Sequence, residues 1–256
     1  MKRVLTALVL LPFAIYAIFF APPAIFFAVV VMMAGLCYYE YTTIMVAQGI
    51  EGPYWIGYAA GLLVLCNFPY ARLLAAALLT ASLTLRLLSK AVPFAGATAL
   101  GVLYVFTAWR CAVDLHAAGV HWLLFALAVN WVGDVAAFYV GRSIGRHKLA
   151  PRISPGKSWE GAAGSMVAAI LFGYGFFVFA LPGIALAPML GLSVVANAAG
   201  QVGDLAESAL KRGAGVKDSS TLLPGHGGFL DRLDSSLFTM PVVYYYLFHV
   251  SGSSFT

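Results

Sequence analysis

The chain has 256 residues, of which 62% are hydrophobic and only 10% are charged, and its mean hydropathy is +0.90. Ten acidic and fifteen basic residues are too few to cover a soluble domain of this size, so the composition is typical of a membrane protein. A net charge of +5 would suggest nucleic acid binding in a soluble protein, but here basic cytoplasmic loops explain it and no nucleic-acid partner is expected.

Nine apolar segments are predicted to span the membrane, because a helix needs about 20 mostly apolar residues to cross the bilayer. They cover residues 4–20, 24–46, 54–69, 71–89, 94–112, 120–141, 163–182, 184–204 and 235–250. The first segment follows Lys2 and Arg3 as a signal peptide would, but further apolar segments follow it, which favours an uncleaved helix. Gly57 and Gly61 in the third segment have the spacing of close helix packing, either within the chain or in a homodimer.

Basic residues are concentrated in two predicted loops, 141–162 with five and 205–234 with four of the fifteen. Both loops follow even-numbered spans and therefore lie on one side, which the positive-inside rule places in the cytoplasm together with the N-terminus. Seven of the ten acidic residues lie after residue 130. The sequence therefore predicts an N-terminal transmembrane scaffold, residues 1–119, and a catalytic transmembrane region, residues 120–256.

Polar side chains enter the membrane on two of the predicted helices. In the eighth they are spaced by four, three, four and three positions: Asn197, Gln201, Asp204, Ser208 and Lys211. Such residues share one helix face, and Asn130 and Asp134 repeat the pattern at i and i+4 in the sixth span. Interhelical hydrogen bonding alone can explain polar stripes, but a carboxylate at membrane depth more often marks function. The predicted fold is all-α, a polytopic membrane protein of about nine helices with a polar cavity facing the cytoplasm.

The loop after the sixth span contains Gly156-Lys157-Ser158, which invites comparison with a nucleotide-binding P-loop. Position 151 is Pro where that motif requires Gly, and no strand is predicted before it, so the P-loop is rejected. Lys157 and Ser158 can still bind phosphate as a charge and a donor, while other bases of the loop can anchor it to anionic lipid.

Residues 208–236 combine bases, acids and paired glycines, as a phosphate and metal site requires. Magnesium usually takes one or two carboxylates together with substrate phosphates and water, so Asp204 with Asp231 or Asp234 could bind it. Neutralisation of nearby bases is the alternative role of these acids. The glycines beside His226 allow close approach of backbone to a phosphate, whereas a lone His is more often a hydrogen-bonding residue than a catalyst.

These segments resemble the signature of the CDP-diacylglycerol synthases (phosphatidate cytidylyltransferases). The resemblance rests on the following residues: Ser208, Lys211, Arg212, Lys217, Asp218, Pro224, His226, Gly227, Gly228, Asp231, Arg232 and Asp234. The stretches Gly133-Asp134, Gly141-Arg142, Gly145-Arg146, 153–161 and 200–208 are similar to the family's other shared segments. Together they cover most of residues 130–236.

The resemblance implies transfer of CMP from CTP to phosphatidate, giving CDP-diacylglycerol and pyrophosphate, with Mg²⁺ or another divalent cation, in one or two copies, as cofactor. Combined with phosphoryl-transfer chemistry, it assigns catalysis to Asp204, Asp231, Lys211 and Arg232, and metal binding to Asp204, Asp231 and Asp234. Substrate binding falls to Ser154, Lys157, Ser158, Ser208, Arg212, Lys217, His226, Gly227 and Gly228. The expected setting is a bacterial inner membrane, with CTP, phosphatidate and membrane lipid as partners.

Two other functions remain open at this stage. A lipid or polyprenol kinase that uses CTP would need the same charged groups but would release CDP instead of pyrophosphate. A secondary transporter would couple its intramembrane acids to protons or cations. The charge clusters lie on one side of the predicted membrane and no inverted repeat is visible, which counts against a transporter.

Overall fold

The structure, a computed structural model, describes residues 2–225 and 227–250, without the side chains of residues 2–7, 9 and 10. His226 and the C-terminal residues 251–256 lie outside the described residues. The helices are α1 (Lys2–Phe19), α2 (Pro23–Ala47), α3 (Trp55–Cys66), α4 (Ala71–Ala81), α5 (Leu88–Gly101), α6 (Thr107–Ala118), α7 (Val120–Ile144), α8 (Trp159–Ala180), α9 (Leu186–Gly213) and α10 (Leu230–Tyr245). A 3₁₀ turn, Ser82–Leu85, follows α4, and π-helical turns occupy Val102–Phe106 and Tyr246–Val250. Two strands, β1 (Lys148–Ala150) and β2 (Ser154–Ser158), lie between α7 and α8.

Within the described residues, five helices are long and apolar enough to cross a membrane. They are Pro23–Ala47, Leu88–Ala118, Val120–Ile144, Trp159–Ala180 and Leu186–Gly213. Two shorter apolar helices, Trp55–Cys66 and Ala71–Leu85, match the third and fourth predicted spans. The prediction of a helical, multi-pass membrane protein is confirmed, and the number of nine crossings stays a prediction.

The chain divides into two compact units. One unit runs to Val113 and also includes Leu210–Leu233, and the other is Asp114–Ala209 continued from Asp234. The predicted division into a scaffold and a catalytic region after residue 119 stays a prediction. The sequence did not indicate that residues 210–233, which carry much of the signature, share a unit with the N-terminal helices.

Helix packing in the first unit depends on small residues opposite large aromatic rings. A Cβ at Gly57 would collide with the Tyr38 hydroxyl group, and a Cβ at Gly61 would collide with the Phe106 ring. The Tyr38 and Phe106 rings are themselves 5.3 Å apart and both are buried. The Gly57–Gly61 spacing is therefore used for packing inside the chain, and it gives no support to a homodimer.

In the second unit, α7 and α8 pack closely because glycines face each other. A Cβ at Gly161 would lie 2.9 Å from the Ala137 carbonyl oxygen and 3.4 Å from the Gly141 Cα. Buried hydrogen bonds join further helices, since Asn130 of α7 donates to the Thr239 hydroxyl group of α10. Asn130 therefore joins two helices by a hydrogen bond, which is the alternative role considered above for the polar residues of the sixth predicted span.

The chain is mostly helical, as predicted, and the connection between α7 and α8 is a short β-hairpin. Strands β1 and β2 are antiparallel, with Lys148 opposite Ser158 and Ala150 opposite Ser154. No strand was predicted here because β2 contains Pro155 and Gly156, which are depleted in strands. The expectation that no strand precedes Gly156-Lys157-Ser158 was wrong, although Pro151 still rules out a P-loop.

Candidate active site

A cavity of about 460 Å³ in the second unit collects several predicted site residues. Its walls are formed by α7, the hairpin, the start of α8, and α9. The charged and polar residues that line it are Asp134, Arg142, Ser154, Lys157, Ser158, Ser165, Gln201 and Asp204. Phe138 and Leu149 contribute an apolar side to the same cavity. The cavity therefore offers both charged and apolar contacts to a ligand.

Two residues that line this cavity form an ion pair, and they come from two separate segments that carry the resemblance. The Lys157 ammonium group of β2 lies 2.5 Å from a carboxylate oxygen of Asp204 on α9. Both side chains are partly open, at 27% and 28% exposure, so a ligand can reach them. The other Asp204 oxygen accepts a hydrogen bond from Ser208 at 3.4 Å, which orients the carboxylate. Lys157 can pair with a phosphate in place of Asp204, since a phosphate oxygen offers the same charge.

The polar stripe on α9 orients its neighbours by hydrogen bonds. Gln201 donates to the Asn197 side-chain oxygen at 2.8 Å and to the Ala162 carbonyl oxygen at 3.3 Å. Asn197 in turn donates to the Ser165 hydroxyl group at 3.1 Å. Around Asn197 the stripe forms a hydrogen-bonded network between α8 and α9. At Gln201 and Asp204 the stripe reaches the cavity.

Ser158 lines the cavity and also begins a helix. It is the N-cap of α8, where its hydroxyl oxygen accepts a hydrogen bond from the Gly161 backbone N–H at 3.1 Å. The N-terminal N–H groups of a helix have no intrahelical partner, so such a cap stabilises the start of α8. The hydroxyl hydrogen is not used in this bond and can donate to a phosphate. Substrate binding by Ser158 stays a prediction.

Replacing Ser158 with Ala is expected to lower the free energy of unfolding by about 1 kcal/mol, because α8 loses its side-chain cap. Thermal unfolding of the purified chain in detergent measures the change. Ser143→Ala is the matched control. The Ser143 hydroxyl group is exposed and donates to the Tyr139 and Val140 carbonyl oxygens in the preceding turn of α7. Equal melting temperatures for the two variants would contradict the capping role.

The first unit contains a second group of predicted site residues, around Asp231 at the start of α10. The Lys211 ammonium group lies 2.5 Å from Asp231 Oδ1, and the two side chains are only 11% and 4% exposed. Asp231 Oδ2 accepts hydrogen bonds from the Gly228 N–H at 2.8 Å and the Ser219 N–H at 2.9 Å. Burial disfavours the charged carboxylate, but these donors outweigh it, so the pKa of Asp231 lies below its ordinary value.

The loop before α10 presents bases around an open concavity of about 690 Å³. Lys217 and Arg232 line it, together with Gly227, whose φ of +79° is a left-handed conformation that favours glycine. Arg212 donates to the Val216 carbonyl oxygen at 3.1 Å and so helps to hold the end of α9. The structure thus brings Lys217, Gly227 and Arg232 together. His226, assigned to substrate binding, lies outside the described residues.

Sequence reasoning missed Glu40, which contacts this loop from α2. Its carboxylate is fully buried and accepts hydrogen bonds from residues 219, 220, 229 and 230. The available signal was a single acidic residue within a 25-residue apolar helix. Asp134 and Arg142 also line the cavity. Both belong to segments that resemble the family, but the sequence analysis assigned them no role.

The described residues include carboxylates that bear on the predicted magnesium site. In the described part of the chain, no three Asp, Glu, His or Cys side chains are grouped as metal ligands. Asp134 and Asp204 line one cavity, and two carboxylates with substrate phosphates are a usual magnesium environment. Asp234 accepts hydrogen bonds from the N–H and hydroxyl groups of Ser235. The second unit therefore offers carboxylates that fit a cation held jointly with a substrate.

These features define an integral membrane protein with helical spans and clustered charged groups suited to phosphate chemistry. The chain belongs to the cytidylyltransferase family, whose profile matches residues 1–250. It is 40% identical over 144 residues to the phosphatidate cytidylyltransferase of Staphylococcus saprophyticus, covering 56% of this chain and 55% of the relative. It is 45% identical over 134 residues to the phosphatidate cytidylyltransferase of Bacillus subtilis, covering 52% of this chain and 50% of the relative. It is 42% identical over 136 residues to the phosphatidate cytidylyltransferase of Haemophilus influenzae, covering 52% of this chain and 47% of the relative. The chain thus spans about half the length of the curated relatives it matches.

Proposed function

We propose that this chain is a phosphatidate cytidylyltransferase, which transfers CMP from CTP to phosphatidate and releases pyrophosphate. The observation that carries the proposal is the meeting of Lys157 and Asp204 in one cavity of a chain that belongs to this family. The two residues come from separate segments of the predicted signature. The names of the similar proteins support the choice of substrates.

The reaction needs positioning and charge neutralisation more than proton transfer. A phosphate oxygen of phosphatidate forms a bond to the α-phosphorus of CTP. The bond between the α-phosphorus and the oxygen that bridges it to the β-phosphate breaks, and pyrophosphate leaves with that oxygen. Because the attacking oxygen is already an anion near neutral pH, a strong general base is unnecessary. Lys157 and Arg142 line the cavity and can offset the negative charge of two phosphorylated substrates. Phe138 and Leu149 suit the glycerol and acyl part of a lipid.

A divalent cation, Mg²⁺ in the first instance, is part of the proposal. Asp204 would hold it together with substrate phosphates, and Asp134, which lines the same cavity, would add a second carboxylate. The predicted contributions of Asp231 and Asp234 remain proposals, as does a second cation. The cation would supply positive charge next to the pyrophosphate leaving group.

The proposed membrane arrangement has nine crossings, with the N-terminus and both basic loops in the cytoplasm of a bacterial cell. The hairpin with Lys157 and the loop with Lys217 would then open toward the compartment that contains CTP. This orientation rests on the distribution of Lys and Arg. That the chain forms a homodimer stays a prediction, and a measurement of the oligomeric state tests it.

Product analysis tests the activity directly. The purified chain, incubated with CTP, phosphatidate and Mg²⁺, is expected to form CDP-diacylglycerol and pyrophosphate in equal amounts. Thin-layer chromatography of the lipid and an enzymatic pyrophosphate assay measure the two products. Release of CDP with a newly phosphorylated lipid would identify a kinase instead. Absence of product, with gradient-driven solute uptake in vesicles, would favour a transporter.

A further inference from the structure

Glu40 is a buried carboxylate in a helix that is otherwise apolar. It lies in α2, which contains no other charged residue, and its exposure is 0%. A buried charge is costly unless hydrogen bonds satisfy it, so the contacts of Glu40 decide whether it is stable at this position. All of its described partners lie about 180 positions further along the chain.

Four donors surround the Glu40 carboxylate, two for each oxygen. Oε1 accepts from the Ser220 hydroxyl group at 2.6 Å and the Phe229 N–H at 3.0 Å. Oε2 accepts from the Ser219 hydroxyl group at 2.8 Å and the Leu230 N–H at 2.7 Å. A carboxylate has two oxygens that only accept, so it matches four donors where no other side chain of this size can.

These donors come from both ends of the loop between residues 219 and 230. Ser219 and Ser220 begin it, and Phe229 and Leu230 end it at the first turn of α10. The N–H groups at the start of a helix have no intrahelical acceptor, and a negative charge there is favourable. Glu40 therefore closes the loop by binding its two ends to one side chain.

Ser219 connects this closure to Asp231. Its hydroxyl group lies 2.8 Å from Glu40 Oε2 and 3.0 Å from Asp231 Oδ2, and its N–H donates to Asp231. Asp231 in turn holds Lys211 at 2.5 Å. Gly228 fits between the two acids only because it lacks a Cβ, which would collide with the Ser219 hydroxyl group and the Glu40 carboxylate.

We propose that Glu40 is a positioning residue, which fixes the ends of the 219–230 loop and thereby the orientation of Asp231 toward Lys211. Its consequence for the reaction rests on the proposed function, whereas its effect on the loop does not. A glutamine of the same size cannot replace it, because its amide N–H₂ group would face a backbone N–H that has no freedom to turn away.

The test compares Glu40→Gln with Glu51→Gln, an exposed acidic residue of the same unit. Hydrogen–deuterium exchange of the full chain in detergent reports on the loop independently of activity. We expect exchange at residues 219–231 to rise about tenfold in Glu40→Gln, since two buried N–H groups lose a good acceptor, and to stay unchanged at the 148–158 hairpin. We expect kcat per folded chain to fall about tenfold while KM for CTP changes less, because the loop is displaced but the cavity is intact.

Each outcome decides between a positioning role and its alternatives. Exchange and kcat equal to those of Glu51→Gln would overturn the proposal, and faster exchange with an unchanged kcat would leave only a structural role and also overturn it. Should Glu40→Gln fail to fold, Ser220→Ala removes one donor alone and must still accelerate exchange at 219–231. If the wild-type chain forms no CDP-diacylglycerol, the proposed function fails, while the exchange data still decide whether Glu40 orders the loop.

Discussion

Replacing Asp204 with Asn is expected to reduce CDP-diacylglycerol formation by about 100-fold or more, as loss of one electrostatic group in an active site commonly does. The amide is neutral, so it binds a cation more weakly than the carboxylate and cannot balance Lys157, whose ammonium group lies 2.5 Å away. The fold should survive, because the Asp204 side chain is 28% exposed and the change keeps its size. The rate of CDP-diacylglycerol formation at saturating CTP and phosphatidate measures the effect.

Three controls make this result specific. Glu51→Gln removes an exposed negative charge elsewhere and should leave the rate unchanged. Lys157→Met in the Asp204→Asn background should cost much less than in the wild type, because residues that act as a pair are not additive. EDTA should stop the wild-type reaction and added Mg²⁺ should restore it. Full activity of Asp204→Asn would remove this carboxylate from the catalytic assignment, and full activity in EDTA would remove the cation.

The helical part of the fold could be predicted because long apolar runs are a strong signal for membrane helices. Each predicted span overlaps a helix that the structure describes, from α1 at Lys2–Phe19 to α10 at Leu230–Tyr245. The β-hairpin could not be predicted, because its strands are three and five residues long and Ser154–Ser158 contains both Pro and Gly. Its formation depends on pairing with Lys148–Ala150, which no pattern within one strand reveals.

The candidate site was predictable residue by residue but not as a set of contacts. The resemblance indicated both Lys157 and Asp204, yet only the folded chain places them 2.5 Å apart. Sequence patterns describe one helix or loop at a time, and a contact between positions 47 residues apart depends on tertiary packing. The same limit concealed Glu40, because its partners begin 179 positions away at Ser219.

Some residues of the signature hold other residues of the signature in place. Ser208 orients Asp204, Ser158 caps α8, and Gly228 leaves room for the acids around it. A motif read as a row of substrate ligands therefore mixes two kinds of residue. Kinetics separates them, since a ligand changes KM or kcat directly, whereas a supporting residue also changes stability or local exchange.

The second large effect is expected at Asp231, where replacement with Asn should both abolish turnover and destabilise the chain by about 1–3 kcal/mol. Asn keeps the shape of the side chain but loses the charge that balances Lys211, and it places an N–H₂ group among the donors from Ser219 and Gly228. Product formation and thermal unfolding of the detergent-solubilised chain measure the two effects separately.

The pH dependence of stability gives this prediction a sign that a nonspecific defect would not share. Hydrogen bonds from Lys211, Gly228 and Ser219 outweigh the opposing effect of burial and lower the pKa of Asp231 in the folded chain below its ordinary 3.8. A group with a lowered folded pKa stabilises the protein above its unfolded pKa, and that contribution is lost as the pH falls through the folded value. The stability difference between wild type and Asp231→Asn should therefore be constant near neutral pH and shrink in acid below 3.8. Lys211→Met removes the cation instead, and its stability difference from wild type should show the same trend with a smaller amplitude. A difference for Asp231→Asn that grew in acid would show that these donors do not hold the Asp231 carboxylate in its charged form.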